Sequence, residues 1–340
     1  MSKENITIKD IARELGISPS TVSRALKDHP DISQATRNAV NELAKKWNYK
    51  PNPIALSLKS GSSRTIGVII PDIVHFFFST ILSGIEDIAY ERGYNVMMCQ
   101  SNEKWEHEVK NVQALVSSRV DGILISVAKE TTNFDHFRAA AEKGLPLVFF
   151  DRIVEEIDSD RVIVDDEVGA YNAVNHLLRM GKKRIVHLSG PSNLPIARLR
   201  IEGYKRALKE YRITPSANDI IKCDTSEEAT ELVPKLLRSS IRPDAIFAVN
   251  DLTAIQALII AKQMGLKVPE DIAIVGFTNS QIATLTEPGL SSVDQRGYEI
   301  GLEAAKLLLA RIEDPDRKPQ TKIISTELVV RGSSSLNYNR

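Results

Sequence analysis

Four neighbouring residues near the amino terminus have side chains that suit contact with DNA. They are Ser20, Thr21, Ser23 and Arg24. A guanidinium such as that of Arg24 can donate two hydrogen bonds to O6 and N7 of guanine, and short hydroxyls suit phosphates or close contacts with base edges. The same residues would also fit the solvated face of an ordinary helical hairpin. The elements that position them must therefore decide between the two interpretations.

Two short helices joined by a tight turn would position these side chains. Thr7 precedes an acidic residue by three positions, which favours a helix start, and hydrophobic residues at three- and four-residue steps continue the pattern to about Leu15. Gly16 supplies the left-handed exit. Ser18 followed by Pro19 is an N-cap with proline at the first helical position. This pattern predicts a helix-turn-helix unit whose second helix enters the major groove.

A third predicted helix and the charge distribution are consistent with this unit. The helix would open at Ser33, close the small core near Trp47 and place Lys45 and Lys46 at a phosphate rim. Residues 1–60 contain ten Lys/Arg and six Asp/Glu, a net charge of +4, whereas the whole chain has 44 of each. A neutral total thus combines a basic amino-terminal part with an acidic remainder.

The segment from Asn52 to Lys59 repeats the same helix-start pattern, because Asn52 precedes Pro53 and an apolar run follows. It predicts a helix of about two turns, which is too short to be stable alone. Such a helix could fold only against DNA or a partner and so act as a switch. A plain linker between domains is the alternative.

Three motifs in this part resemble those of the lactose-repressor/galactose-repressor (LacI/GalR) family of bacterial transcription regulators. They are Ile8-Lys-Asp-Ile-Ala12, Thr21-Val-Ser-Arg24 and Tyr49-Lys-Pro-Asn-Pro53, and the resemblance continues over essentially the whole chain. It implies a homodimer that binds double-stranded operator DNA, with recognition helices in the major groove and paired hinge helices in the minor groove. The DNA-contact residues implied are Thr7, Ser18, Pro19, Ser20, Thr21, Ser23, Arg24, Tyr49, Asn52, Ala55, Leu58 and Lys59.

Within the hinge segment, the resemblance implies a distinct role for each side chain. Leu58 would intercalate at a flexible base step and kink the DNA, Ala55 would lie against the groove floor, and Lys59 would approach phosphates. Leu56 departs from the family pattern, since members often have a polar residue there.

From Arg64 onward, short apolar runs alternate with amphipathic helical patterns. Runs such as 65–70, 122–126, 147–150, 184–188 and 245–249 have the composition of strands buried on both faces of a parallel sheet. The predicted fold class is therefore α/β: an all-α helix-turn-helix domain plus hinge helix, then two doubly wound halves with a cleft between them.

The family resemblance implies that this part is a periplasmic-binding-protein-like effector domain. The expected domains are 1–50 for DNA binding, 51–61 for the hinge and 62–340 for the effector. Subdomain one would take 62–165 and 293–324, and subdomain two 166–292 and 325–340. The three crossings would form a stiff hinge. No leucine heptads follow Arg331, so a dimer is the simplest assembly.

The resemblance also implies a repressor of carbohydrate-utilisation genes, with a sugar, sugar phosphate or sugar acid bound in the cleft. Arg200 and Asn250 are its strongest effector candidates, since polar forks grip hydroxyls or phosphate. Aromatic rings after the first strand would stack on a sugar's apolar face. The effector-binding residues implied are Phe76, Phe77, Phe78, Arg152, Asp165, Arg200, Asn250 and Thr278.

Several acidic and polar positions in the effector domain have other expected roles. Asp251 is expected to cap the helix that follows it, and at least one of Asp151 and Asp165 to be structural. Thr278 and Asn279 follow the motif Val275-Gly-Phe277 where many family members have an aspartate. Because a charged acceptor is replaced by a hydroxyl or an amide, an uncharged polyol, a phosphorylated sugar and a sugar acid all remain open.

Two other function classes compete with a regulator: a transport or chemotaxis binding protein and an α/β enzyme. Residues 1–30 contain no apolar core of signal-peptide length, and no run approaches the ~20 apolar residues of a membrane span, so a cytoplasmic protein is expected. Dinucleotide, Walker and nucleophile-elbow motifs are absent. Cys99 and Cys223 are expected to be free thiols. The histidines lack metal-ligand spacing, and no cofactor is expected.

Overall fold

The computed structural model describes residues 6–49, 62–74 and 76–335 of the 340-residue chain. The chain divides into two compact units, one up to Ser63 and one from Arg64 onward, which we call the head and the body. The predicted hinge helix, from Asn52 to Lys59, lies outside the described residues.

Among residues 6–49, the head contains three helices: α1 (Ile8–Leu15), α2 (Pro19–Ala25) and α3 (Gln34–Lys46). Their ends follow the predicted signals. Gly16 terminates α1 in the left-handed region with a φ of 63°, and the Ser18 hydroxyl oxygen accepts a hydrogen bond from the backbone N–H of Thr21 at 3.1 Å. Ile11 and Val22 are fully buried between the helices. The predicted helix-turn-helix is therefore confirmed.

Two six-stranded sheets form the body. The strands of the first sheet are β1 (Thr65–Ile70), β2 (Asn95–Gln100), β3 (Ile123–Ile125), β4 (Leu147–Phe150), β5 (Asp160–Val164) and β11 (Thr321–Ile324). They are all parallel, in the order β11-β5-β4-β3-β1-β2. The helices on this sheet are α4 (Phe76–Glu91), α5 (Trp105–Ser117), α6 (Asp135–Glu142) and α11 (Gly297–Glu313).

The second sheet repeats this architecture. Its strands are β6 (Ile185–Ser189), β7 (Ile220–Lys222), β8 (Ala245–Ala248), β9 (Ala273–Thr278), β10 (Ser291–Asp294) and β12 (Glu327–Val329). The order is β12-β10-β9-β8-β6-β7, and β12 pairs antiparallel with β10 while the other pairs are parallel. Its helices are α7 (Asp166–Arg179), α8 (Pro195–Glu210), α9 (Ser226–Leu237) and α10 (Asp251–Gln263).

Each sheet is covered by helices on both faces, which explains why most of its strands are apolar runs. Helices α4 and α11 share one core with the first sheet, and α5 and α6 share another. In the second half, α7 and α8 pack on one face and α9 and α10 on the other. The structure thus contains the two doubly wound halves predicted.

Helices α7 and α8 approach closely because Gly203 has no side chain. A Cβ at Gly203 would lie 2.2 Å from the carbonyl oxygen of Glu167, a separation that packed atoms do not tolerate. This close packing brings the start of α7 beside the middle of α8, where Arg200 lies.

The chain crosses between the two halves three times. The first crossing follows β5 and the third lies between β11 and β12, near the predicted boundaries. The second lies at 295–296 rather than at the predicted 292/293, because Asp294 still pairs with Thr278 in the second sheet. Arg296, at this crossing, has a φ of 51°, in the left-handed region. No helix among the described residues is long and apolar enough to cross a membrane.

Candidate effector cleft and DNA-contact helix

Helix α2 presents the predicted DNA-contact side chains on the face opposite to the core of the head. Val22 and Ala25 are fully buried, whereas Ser20 and Arg24 are exposed. Thr21 and Ser23 are partly exposed between them. Because Ser18 Oγ also lies 2.7 Å from the hydroxyl of Ser20, the cap fixes the first turn of this helix. The helix therefore has one buried apolar face and one polar face that solvent reaches.

The other predicted DNA-contact residues differ in how far the structure describes them. Thr7 donates its backbone N–H and its hydroxyl to the carboxylate of Asp10, at 2.9 and 2.6 Å, and these bonds lower the pKa of Asp10. Pro19 is exposed at the start of α2. Tyr49 packs half-buried against the core of the head, and burial raises the pKa of its phenol. The predicted contacts in the hinge segment, Asn52, Ala55, Leu58 and Lys59, lie outside the described residues.

A cavity of about 110 Å³ opens between the two halves of the body. It lies at the carboxyl ends of the strands, where ligands bind in open α/β sheets. Seven of the predicted effector-binding residues line it: Phe76, Phe77, Phe78, Arg152, Arg200, Asn250 and Thr278. Asp165 is not among the lining residues, because its carboxylate accepts a hydrogen bond from the backbone N–H of Thr326 at the third crossing, at 2.7 Å.

Arg200 lies in the second half of the cavity wall and is almost completely buried. Its Nε donates to Oδ1 of Asp166 at 2.8 Å, and its Nη2 lies 2.7 Å from the same oxygen. Its Nη1 donates to the carbonyl oxygen of Val249 at 2.6 Å. The guanidinium carbon lies 3.7 Å from the ring centroid of Phe277, within the range of a cation–π contact. The side chain is therefore held rigidly from three sides.

The carboxyl groups beside Arg200 have raised pKa values. Burial raises the pKa of Asp166 to about 6, although the guanidinium of Arg200 opposes the shift. Burial also raises the pKa of Asp151, against the effect of Arg152 and Arg200. At neutral pH Asp166 is consequently ionised and neutralises Arg200.

Arg152 belongs to the first half of the cavity wall and is paired in a similar way. Its Nη1 donates to both carboxylate oxygens of Glu103, at 2.7 and 3.0 Å, and its Nε lies 3.9 Å from the carboxylate of Asp151. Although burial alone would raise it, the pKa of Glu103 is lowered because Arg152 and Lys129 stabilise the carboxylate. The guanidinium carbon of Arg152 also lies 5.9 Å from the ring centroid of Phe78.

An ion pair crosses the cleft. Nζ of Lys129, which follows β3, lies 2.6 Å from the carboxylate of Asp224, which follows β7. Burial would raise the pKa of Asp224, but Lys129 and Lys222 lower it overall. The side chain of Asn193 donates to the carbonyl oxygen of Lys129 at 2.8 Å, which adds a second cross-cleft contact. The two halves are thus joined at the cavity by polar contacts.

Asn250 lines the cavity, but its side chain also has a structural role. Its Oδ1 accepts a hydrogen bond from the backbone N–H of Thr253, so Asn250 is the N-cap of α10. Asp251 was expected to be this cap, which is wrong by one residue. The carboxylate of Asp251 instead accepts hydrogen bonds from Ser280 and Ser292, since it turns toward the loop after β9.

Thr278 and Asn279 face different surroundings. Thr278 lines the cavity, and its hydroxyl donates to the side-chain oxygen of Gln295 at 3.1 Å. Asn279 instead bonds Asp294 and Arg331, on the side of the second crossing. Of these two residues, only Thr278 lines the cavity.

Polar cavity residues that were missed from the sequence include Lys129, Asp224 and Gln295. Each follows the carboxyl end of a strand, which is the signal that could have found it. Cys223 is buried and Cys99 half-buried, both are free, and burial raises the pKa of both thiols. Among the described residues, no cluster of His, Cys, Asp or Glu could hold a metal ion.

A helix-turn-helix head and a body with a cavity between two hinged halves define a ligand-responsive transcription regulator. Residues 7–52 match the model of bacterial regulatory proteins of the lacI family, and residues 174–334 match the periplasmic binding protein-like domain. The chain belongs to the lacI family and is a DNA-binding transcriptional repressor, not an enzyme.

Relatives and solved structures match along nearly the full length. The HTH-type transcriptional repressor CytR of Escherichia coli strain K12 is 35% identical over 329 residues, which are 96% of each chain. The ribose operon repressor of Halalkalibacterium halodurans is 34% identical over 334 residues, 98% of each. The lac repressor dimer bound to operator and the anti-inducer ONPF has a TM-score of 0.86 at 26% identity, covering 97% of this chain and 99% of that one.

Proposed function

We propose that a small polyhydroxylated effector binds in the cleft of the body and changes the affinity of the repressor for operator DNA. The observation that supports this most directly is that residues of both halves line one cavity. A ligand that contacts both halves favours the arrangement in which they are close together. A coupling free energy of only ~1–3 kcal/mol would change operator affinity several-fold or more.

The lining of the cavity supports an effector with hydroxyl groups and an apolar face. Phe76, Phe77 and Phe78 form an apolar wall from the first turn of α4, and such rings stack on the carbon face of a sugar. Polar groups that can bond hydroxyls, such as Asp151 and Thr278, lie in the same cavity. This mixture of an apolar wall and a few convergent polar groups is typical of small-molecule sites.

The head supports sequence-specific binding through α2. Arg24 and Ser20 would contact base edges, and Thr7, Ser18, Thr21 and Ser23 would contact phosphates or nearby edges. The hinge residues Asn52, Ala55, Leu58 and Lys59, and the half-buried Tyr49, remain DNA-contact predictions from the sequence. The DNA-bound lac repressor neighbour is a dimer, so we propose a homodimer on a palindromic operator in the cytoplasm.

A DNA-selection experiment tests this function. Purified full-length protein would select its sites from random duplexes, and fluorescence anisotropy would then give operator affinity with and without sugars, nucleosides, sugar acids and sugar phosphates. Arg24→Ala should remove the preference for the selected sequence. Arg13→Ala makes the same charge change at an exposed position on α1 and should keep the preference. Loss of preference in both variants, or in neither, would contradict the assignment of α2.

A further inference from the structure

We propose that the effector is uncharged, because the cavity neutralises its own cations with carboxylates of the chain, and that Asp166 excludes anionic ligands from Arg200. This inference rests on the proposed effector cleft. It selects the uncharged polyol from the three ligand classes that the sequence left open.

Arg200 is the cation that a ligand phosphate or carboxylate would be expected to seek. Its Nε and Nη2 are both directed at one oxygen of Asp166, and its Nη1 at the carbonyl of Val249. Two of the donors that could form a bidentate fork with an anion are thus already bonded to an anion of the chain. A ligand phosphate would have to displace Asp166, which is buried beside it.

The two other cations in the cavity wall are compensated in the same way. Both carboxylate oxygens of Glu103 accept hydrogen bonds from Nη1 of Arg152, at 2.7 and 3.0 Å. The carboxylate of Asp224, on the opposite side of the cleft, lies 2.6 Å from Nζ of Lys129. Each cation that lines the cavity therefore has a carboxylate of the chain within hydrogen-bonding distance.

Asp151 adds a further acidic group to the wall, and Arg152, which it approaches, is already bonded to Glu103. An anion that entered this cavity would lose its hydration and would meet, among the described residues that line it, only cations already paired with carboxylates of the chain, which opposes binding. A neutral ligand avoids this cost and can donate hydroxyl protons to the carboxylates. The apolar face of such a ligand would pack against the aromatic wall of Phe76, Phe77 and Phe78.

Inorganic phosphate is a probe of this charge balance that does not require the effector to be known. Isothermal titration of the full-length protein with phosphate, against chloride of equal ionic strength, should show no saturable binding to the wild type. Asp166→Asn keeps the size of the side chain and an acceptor for Arg200 but removes the counter-charge. It should show saturable phosphate binding, with an affinity at least about tenfold above the weakest that the titration can detect.

Asp165→Asn is the matched control, because it makes the same charge change one residue away, outside the cavity lining. It should behave as the wild type. Asp224→Asn is the second test and should also gain phosphate binding, because it removes the 2.6 Å partner of Lys129 and leaves only the longer 3.8 Å contact with Glu103, which Arg152 already engages. Circular dichroism would identify a variant that does not fold.

Saturable phosphate binding to the wild type that Arg200→Ala abolishes would overturn the proposal, as would folded Asp166→Asn and Asp224→Asn variants that both fail to gain it. Because the titration contains no DNA, its result is independent of the proposed function. That function fails on a different observation, namely an operator affinity that no cleft ligand changes.

Discussion

Replacing Arg200 by methionine should destabilise the body in a way that depends on pH. The variant keeps most of the apolar volume but loses the bonds to Asp166 and Val249. Breaking a buried ion pair by removing one partner costs about 3–5 kcal/mol. We expect the free energy of unfolding to fall by about 3 kcal/mol near pH 7.5, at the low end of this range, because Asp166 can relieve part of the cost by taking up a proton.

The pH dependence follows from the raised pKa of Asp166. Burial raises this pKa from 3.8 to about 6 in the wild type, so the ionised carboxyl costs stability above pH 6, and that stability is recovered as the pH falls from about 6 toward 3.8. Without Arg200 the pKa rises further and the recovery begins at higher pH. Near pH 5 the carboxyl is protonated in both proteins, so the difference between them should shrink by ~1–2 kcal/mol.

Urea unfolding followed by tryptophan fluorescence measures this difference. The chain has two tryptophans, Trp47 in the head and Trp105 in the body, so a Trp47→Phe background reports on the body alone. Arg198→Met is the matched control, since this half-exposed arginine on the same helix forms only a surface pair with Glu155. The Arg198→Met variant should lose at most about 1 kcal/mol in free energy of unfolding at either pH. A loss for Arg200→Met that is equally small, or independent of pH, would show that Arg200 and Asp166 do not form a stabilising buried ion pair.

Three further changes have defined outcomes. Ser18→Ala removes the acceptor for the Thr21 N–H and should lower the stability of the head by ~1 kcal/mol in thermal unfolding; an unchanged melting temperature would argue against the cap. Leu58→Ala should weaken operator binding in anisotropy while leaving effector affinity unchanged, and equal operator affinity would remove Leu58 from the hinge contact. Burial lowers the pKa of His187 from 6.5 to about 4, so the stability present above pH 6.5 is lost as the pH falls toward 4. His187→Gln keeps a donor for the Phe247 carbonyl but has no titrating ring, so its free energy of unfolding in urea should fall by ~3 kcal/mol less than that of the wild type between pH 6.5 and 4. An equal fall in both proteins would contradict the lowered pKa of His187.

Local signals in the sequence predicted the head well because its structure depends on local chemistry. Ser18 and Pro19 start α2, and Gly16 ends α1, through bonds and backbone angles that span only a few residues. Many buried strands were equally evident as apolar runs. Strands β5, β7, β10 and β11 were missed. Strand β7 gives no apolar run because it has only three residues, two of them half-buried and one exposed, and β10 gives none because its buried residues include two serines.

The polar contacts of the cavity could not be predicted because they join residues distant in sequence. Asp165 and Asp166 are adjacent acids, and only the direction of α7 decides that Asp166 meets Arg200 while Asp165 bonds a backbone N–H at a crossing. The pair of Lys129 with Asp224 depends on the approach of two separate sheets. Motif resemblance therefore located Arg200 in the cavity but gave no indication that its charge is compensated.

Reciprocal coupling between effector and operator is the property that distinguishes a ligand-controlled repressor from one whose cleft is unconnected to DNA binding. Operator affinity would be measured by anisotropy with and without a saturating uncharged ligand found in the screen, and ligand affinity by calorimetry with and without operator. Both affinities should change by the same factor, about 5- to 150-fold, because coupling between two sites is reciprocal. A ligand that occupies the cleft, loses affinity in the Thr278→Val variant and leaves operator affinity unchanged would contradict this coupling.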